Sequence, residues 1–230
     1  MDKLILVLVE TAVETVPPEI QRHPAVLKHA ERRGKHPSKI LLDRSYHHWA
    51  MKNLPEAEKR GRPDILHFCL LEALGSPLNL NGLLETYAAT LNGYVVHVNP
   101  AVRLPRVYER FKGLMEKLFE DMEVVSSSGE TLLRLERASL RSLVERLTPS
   151  RKILMTEKAD TRGHTGFASL LTAGKPMVMV GGFPHGDFRK ETEELADVKV
   201  ALAQRPLEAW TVVSRVLCLA EWMLQWDGKT

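Results

Sequence analysis

Cysteine is scarce in this chain, long apolar runs are missing, and net charge of either sign is small. Each shortage removes a class of protein. Of 230 residues only two are cysteine, Cys69 and Cys218. Both lie in apolar segments, without CxxC spacing or clustered histidines, which argues against a disulfide framework and a structural zinc site. No metal is expected, and a reducing, cytoplasmic compartment is the default setting. No apolar stretch approaches the ~20 residues needed to cross a bilayer, so no membrane partner is expected. The opening DKLILVLVE is too short for a signal peptide, carries an acid beside its lysine, and reads as a buried first strand. There is no GxGxxG and no P-loop lysine. No Ser-His-Asp order and no pair of carboxylates stands at a spacing suited to acid–base work.

What is present is ordinary in bulk and uneven in detail. Apolar residues make up 44% of the chain and charged residues 27%, the balance of a globular domain large enough to bury a core. The net charge of +3 says little about partners, but its distribution says more. Basic residues gather at Arg32, Arg33, Lys35, Lys39 and Arg44, at Lys59, Arg60 and Arg62, and at Arg103, Arg106 and Arg110; acids collect in 191–197. Any one cluster reads as a solvated face. Several in one half of the chain make an anionic polymer an equal alternative.

Strand-like runs alternate with helical periodicities. LILVLV (4–9) is a strand and AVLKHAERRG (25–34) a helix closed by Gly34 with basic residues in its last turn. KILLD (39–43) reads as a short strand and ILHFCLLEALG (65–75) as a helix. LLETYAAT and GYVVHVNP flank a turn at Leu91-Asn92-Gly93, a hairpin signal. The polar turn SSSGE precedes the strand TLLRLE and the helix SLRSLVERL. Then come KILMTEK, the helical FASLLTAG, PMVMVGG, a charged helix, VKVAL and a terminal helix over about 207–225. This alternation predicts one α/β domain over 1–230, with a mostly parallel sheet and helices on both faces. Smaller inserted elements are expected near 40–65 and 122–137.

Four segments could carry chemistry. PMVMVGGFPHGD ends a buried strand in Gly181 and Gly182, with Gly186 further on. Glycines let a backbone approach a ligand closely, and ligands of open α/β sheets sit beyond the carboxyl ends of strands; a plain strand-to-helix turn is the competing explanation. ALAQRPLEAW repeats that logic one strand later, so the two loops could share a pocket. The helix after it carries Trp210, Val213, Leu217 and Ala220 on one face, a core or dimer stripe. In GRPDILHF, Pro63 sets Arg62 and Asp64 in a fixed relation, so that the carboxylate could pin the guanidinium; a surface ion pair is the plainer reading. His67 reads as core or capping.

In NPAVRLPRVYERFKG, Pro105 stands where a helix over about 106–121 would begin. Arg106 and Arg110 lie four apart and Arg103 just before. Cations crowd a helix amino end that already carries partial positive charge. An anion there would reverse the penalty; neutralisation by Glu109 is the alternative.

RPDI (62–65), HFCLLEALGSPLNLNGLL (67–84), VNPAVRLPRVYERFKGLM (98–115) and VGGFPHG (180–186) resemble the ribosomal RNA small-subunit pseudouridine-N1-methyltransferases, ribosome-biogenesis enzymes of the SPOUT class. The likeness runs from the first strand to the terminal helix. It implies a SPOUT-type α/β fold with a carboxyl-terminal trefoil knot, over about 150–230, and a homodimer binding S-adenosylmethionine in the knotted loops. The family's cofactor positions fall on Gly181 and Gly186 and on Leu202, Ala203, Gln204, Arg205, Pro206 and Leu207, with a further contact between Thr156 and Thr161. Its RNA-contacting arginines fall on Arg62, Arg103, Arg106 and Arg110. Asp64 is its arginine-positioning acid and, with Arg62, the catalytic pair. The partners so implied are small-subunit ribosomal RNA and other ribosome assembly factors. Gly182, Pro184 and Glu208 depart from the family pattern. A non-catalytic RNA-binding assembly factor on the same fold is the alternative function.

Overall fold

The structure, a computed structural model, describes residues 1–171 and 174–224. In chain order the first half comprises β1 (Leu4–Thr11), α1 (Pro24–Arg33), α2 (Arg44–His47), α3 (Pro63–Gly75), α4 (Pro77–Leu80), β2 (Leu84–Thr90) and β3 (Tyr94–Val98). There follow α5 (Tyr108–Asp121), β4 (Glu123–Val125), β5 (Thr131–Arg137), α6 (Leu140–Leu147), β6 (Arg151–Met155) and β7 (Thr161–Arg162). The last elements are α7 (His164–Ala168), β8 (Pro176–Gly181), α8 (Lys190–Leu195), β9 (Val198–Ala201) and α9 (Ala209–Met223).

Among the described residues nine strands form one sheet, in the order β4-β5-β3-β2-β1-β8-β6-β9-β7. Every pairing from β2 across to β7 is parallel, while β3, β5 and β4 join antiparallel at the other edge. This is the mostly parallel α/β sheet expected. Strand β1 is buried along all its residues because parallel neighbours flank it and helices cover both faces, the setting that demands a continuous apolar run. On one face Leu4, Leu6 and Leu8 join Leu66 and Leu70 of α3, Phe111 and Met115 of α5, and Val213 and Leu217 of α9. On the other, Ile5, Val7 and Val9 meet Leu143 and Val144 of α6.

Residues 122–137 extend this sheet: β5 pairs with β3, and its inward Leu133 and Leu135 belong to the main core. Residues 12–62 are different. They wrap a small core of their own, built from Val16, Ile20, Val26, Ala30, Ile40, Leu42, Met51 and Leu54. KILLD is not a strand there; after a tight turn over Pro37–Lys39 it makes a single bridge, Leu41 with Thr15. Its apolar run is explained by burial in the lobe instead of by a ladder. FASLLTAG supplies only the last two residues of α7, Phe167 and Ala168, and one further turn, Ser169–Leu171; positions 172–173, and residue 225 of the expected terminal helix, lie outside the described residues.

The arginine helix also starts later than its sequence suggests. Pro105 is not its first residue: Val107 is still extended, with ψ 120°, and α5 begins at Tyr108. The carbonyl of Pro105 accepts a hydrogen bond from His67 Nε2 at 2.7 Å, which holds that segment on α3 and out of the helix.

At the carboxyl edge of β8 the chain threads closely past β1. Gly182 N–H donates to Val9 O and Gly182 O accepts from Ala12 N–H, both at 2.8 Å. A Cβ on Gly182 would lie 2.7 Å from Thr11 Oγ1 and 2.9 Å from Thr11 Cα. Gly182→Ala is therefore expected to cost about 1–3 kcal/mol through overpacking. Thermal unfolding should register ~2–4 °C for each kcal/mol in a chain of this size.

Candidate functional site

The parallel strands β6, β8 and β9 end side by side, and a cavity of about 280 Å³ opens beyond their carboxyl ends. Its apolar floor is made by Met155, Val180, Val200, Ile65 and Val212. Two loops wall it: the glycine loop after β8 and the loop between β9 and α9. Of the residues expected to hold a cofactor, Gly181, Gly186, Leu202, Ala203, Arg205, Pro206 and Leu207 all line this cavity; Gln204 does not. The stretch after β6 contributes Thr156, Glu157 and Lys158. An ion pair between Lys158 and Asp187 spans two of the lining segments.

The glycines are needed for geometry. A Cβ at Gly181 would stand 3.1 Å from the rings of Phe183 and Phe188, which meet edge to face 5.2 Å apart. Gly186 has φ +102°, a conformation that side chains resist.

A buried polar network fastens the glycine loop from behind, and no sequence pattern announces it. Glu10 leaves β1 with φ +50° and only 6% exposed. Its Oε2 accepts from Lys59 Nζ at 2.6 Å and its Oε1 from the Arg189 backbone N–H at 2.7 Å. Lys59 is itself buried and sits 4.9 Å from the Phe183 ring centroid. The Arg189 guanidinium forks onto both carboxylate oxygens of Glu56 and donates to Leu91 O. These partners stand 49 to 179 residues apart, beyond the reach of local motifs.

Most of the basic clusters turn out to be paired within the chain. Arg60 makes a bidentate pair with buried Glu14, at 2.7 and 2.6 Å. Arg33 and Lys35 both reach buried Glu116 at 2.8 Å, and Lys39 reaches Glu120. Arg32, exposed and without an ion pair to a described residue, and the trio are the exceptions. Arg103, Arg106 and Arg110 are exposed, and none forms an ion pair with a described residue. Glu109, the acid that might have neutralised them, is taken by Arg33 at 3.2 Å and Lys112 at 2.7 Å.

Helix α3 links the trio to the cavity. Arg62 stands at its N-cap and forks onto Asp64, Nε to Oδ1 at 2.8 Å and Nη2 to Oδ2 at 2.7 Å. Asp64, in the first turn, also suits the helix dipole. The hydrogen bonds that Arg62 donates to Asp64, against some cost of burial, raise the Arg62 pKa above its ordinary value, and the charge of Glu208 adds to it. One turn on, Ile65 faces the cavity. His67, buried, stacks on Phe111 at 4.3 Å and hydrogen-bonds the carbonyl of Pro105. Because a carbonyl only accepts, His67 carries its proton on Nε2 and acts as a strut for the arginine loop.

The family model for EMG1/NEP1 methyltransferase matches residues 6–221. The chain belongs to the EMG1/NEP1 methyltransferase family. The ribosomal RNA small subunit methyltransferase Nep1 of Pyrococcus furiosus is 45% identical over 221 residues, 96% of this chain and 97% of that protein. The Archaeoglobus fulgidus protein of that name is 46% identical, over 92% of this chain and 93% of its own length. A crystal structure of Archaeoglobus fulgidus Nep1 bound to S-adenosylhomocysteine superposes with a TM-score of 0.86 at 43% identity, covering 98% of this chain and 100% of that one.

In this EMG1/NEP1 chain the Glu56–Arg189 pair ties the glycine loop to the small lobe, so its titration should be visible in stability. The hydrogen bond from Arg189 lowers the Glu56 pKa from 4.5 to about 2. A depressed carboxylate contributes stability that is complete above its unfolded value and is lost as pH falls through its folded one. In urea titrations the advantage of wild type over Glu56→Gln should be constant above about pH 4.5, shrink below it, and be gone near pH 2.

Proposed function

We propose that this chain transfers a methyl group from S-adenosylmethionine to ring nitrogen 1 of a pseudouridine in small-subunit ribosomal RNA. The observation that carries this reading is the adjacency, across α3, of a strand-end cavity walled by glycines and a run of arginines with no acidic partner. The residues present fit the cofactor. A Cβ at Gly181 would crowd the Phe183 and Phe188 rings that wall the cavity. The floor is apolar, and the rim offers Leu202, Ala203 and Arg205–Leu207 together with Asp187, Glu193 and Glu208, whose backbone carbonyls and carboxylates are acceptors suited to hydroxyls, an amine or a sulfonium. Family relatives named as ribosomal RNA methyltransferases, one of them with the demethylated product bound, support the same assignment.

Gly181, Gly186 and the 202–207 loop would hold the cofactor, which when bound supplies an electrophilic methyl group to a ring nitrogen that gives up its proton. Pseudouridine is joined to its sugar through carbon, so nitrogen 1 is free and carries that proton. This chain's own contribution is positioning: the apolar floor keeps water from the reacting atoms, and fixed geometry supplies much of the rate. A base buried in its stack cannot reach the cavity, so the target is a loop nucleotide or is flipped out. Arg103, Arg106 and Arg110 grip flanking phosphates. Arg62, pinned by Asp64, orients the base and stabilises negative charge as nitrogen 1 loses its proton. The same reading takes the segment from about 150 onward as a trefoil knot and a homodimer as the working unit. It extends to a cytoplasmic role in ribosome biogenesis beside other assembly factors.

Calorimetric titration with S-adenosylmethionine should give micromolar binding that Gly181→Leu abolishes. No heat from a folded protein that still binds RNA would identify a non-catalytic assembly factor instead. Arg62→Ala should lower single-turnover methyl transfer to pseudouridine RNA by about 10²–10³-fold, the usual cost of a lost charge-stabilising donor, with cofactor affinity nearly unchanged. Parallel loss of cofactor affinity would place Arg62 in the other half of the site.

A further inference from the structure

The small lobe presents a row of aromatic rings that the site above does not use. Helix α2 continues with helical backbone angles through His48 and Trp49 into a tight turn over Ala50–Asn53. In such a winding, side chains three residues apart line up, so Tyr46, Trp49 and Lys52 share one edge. Tyr46 is 42% exposed and Trp49 is 67% exposed. The Lys52 ammonium stands 4.0 Å from the Trp49 ring centroid, and His48 meets that ring edge-on at 5.4 Å. The core of the lobe is closed beneath them by Ala50, Met51 and Leu54, so packing does not account for an indole left this open.

This row continues the arginine track. The Tyr46 ring lies 4.9 Å from Lys112 Nζ, and the same ammonium lies 4.9 Å from Tyr108, which stands between Arg106 and Arg110 in the chain. Tyr46 is held rigid from behind by His29, stacked at 4.1 Å and 15°. Lys112 is in turn fixed by Asp43 at 3.0 Å. The surface therefore combines a Tyr46 ring fixed from behind by His29, a more open Trp49 ring, a cation over each, and adjoining guanidiniums without acidic partners. Two separate rings are too little for a stable protein interface, which buries about 1,200–2,000 Å². They suit unpaired nucleotides, whose bases stack on aromatic faces while their phosphates meet cations.

We propose that Tyr46 and Trp49 form a base-stacking subsite for single-stranded RNA, engaging nucleotides that flank the one entering the cavity. The inference rests on the RNA-methyltransferase reading above. It is tested with a short, labelled single-stranded ribooligonucleotide by fluorescence anisotropy across a range of salt. Wild type is compared with Trp49→Ala, Trp49→Phe and Arg106→Ala. Trp49→Ala should weaken binding by about tenfold or more without changing the slope of log affinity against log salt, because no phosphate contact is lost. Trp49→Phe should restore most of that loss. Arg106→Ala should weaken binding and reduce the slope by ~0.7, the loss of one phosphate contact to a single strand. Wild-type affinity in Trp49→Ala, with Arg106→Ala weakened, would overturn the subsite and leave the RNA reading standing. Absence of RNA binding by wild type would remove both. A change of molecular mass in Trp49→Ala by light scattering, with RNA binding intact, would make the ledge a contact between copies of the chain and likewise overturn the subsite.

Discussion

Glu10 turns out of the buried first strand with φ +50°, and the groups that gather around that turn hold both halves of the site in place. Its carboxylate takes Lys59 from the small lobe and the Arg189 amide from the end of the glycine loop. The next residue, Thr11, packs on Gly182 and accepts from Leu91 N–H; Ala12 O then accepts from Arg62 N–H. A left-handed backbone at a residue other than glycine costs free energy. Here it turns one carboxylate toward two elements that are far apart in sequence. Removing either partner of the buried Glu10–Lys59 pair would strand a charge in the interior, a loss of about 3–5 kcal/mol for buried pairs in general.

Charge is sorted in this protein by what each cation can reach. The small lobe meets α5 through Arg33, Lys35 and Lys39 on Glu116 and Glu120, and through Lys112 on Asp43. Burial works against the Asp43 charge, but the hydrogen bond and charge of Lys112 prevail and lower its pKa. Such pairs set orientation more than stability, since desolvation offsets much of their attraction. With those acids engaged, the trio at 103, 106 and 110 faces solvent without internal compensation, where phosphates can supply it. On the proposed function, the arginines gather near a helix amino end because their anion is an RNA phosphate.

Helix α3 converts these local facts into one surface. Within its first two turns it presents Arg62 with Asp64, then Ile65 to the cavity, then His67 to the arginine loop. The strand-end cavity and the arginine loop are thus fixed to the same helix, which the proposed reaction needs if a flipped base is to meet a bound cofactor.

Much of this was legible in one dimension. Alternating apolar runs specify the α/β sheet because burial on both faces of a parallel strand leaves no polar positions. Glycines at 181 and 186, the loop 202–207 and the Arg62-Pro63-Asp64 triplet could be read directly, since each depends on residues a few bonds apart. What could not be read is everything set by distant partners. KILLD has strand propensity but buries itself in a lobe core, and Pro105 has helix-start chemistry but gives its carbonyl to His67. Lys59 and Arg60 look like surface cations until Glu10 and Glu14 close on them. Sequence alone determined which segments fold and which strand-end loops line the cavity, because periodicity and backbone freedom are local properties. Only tertiary structure decided which charges are paired within the chain and which stay exposed, because pairing depends on distances that the order of residues does not contain.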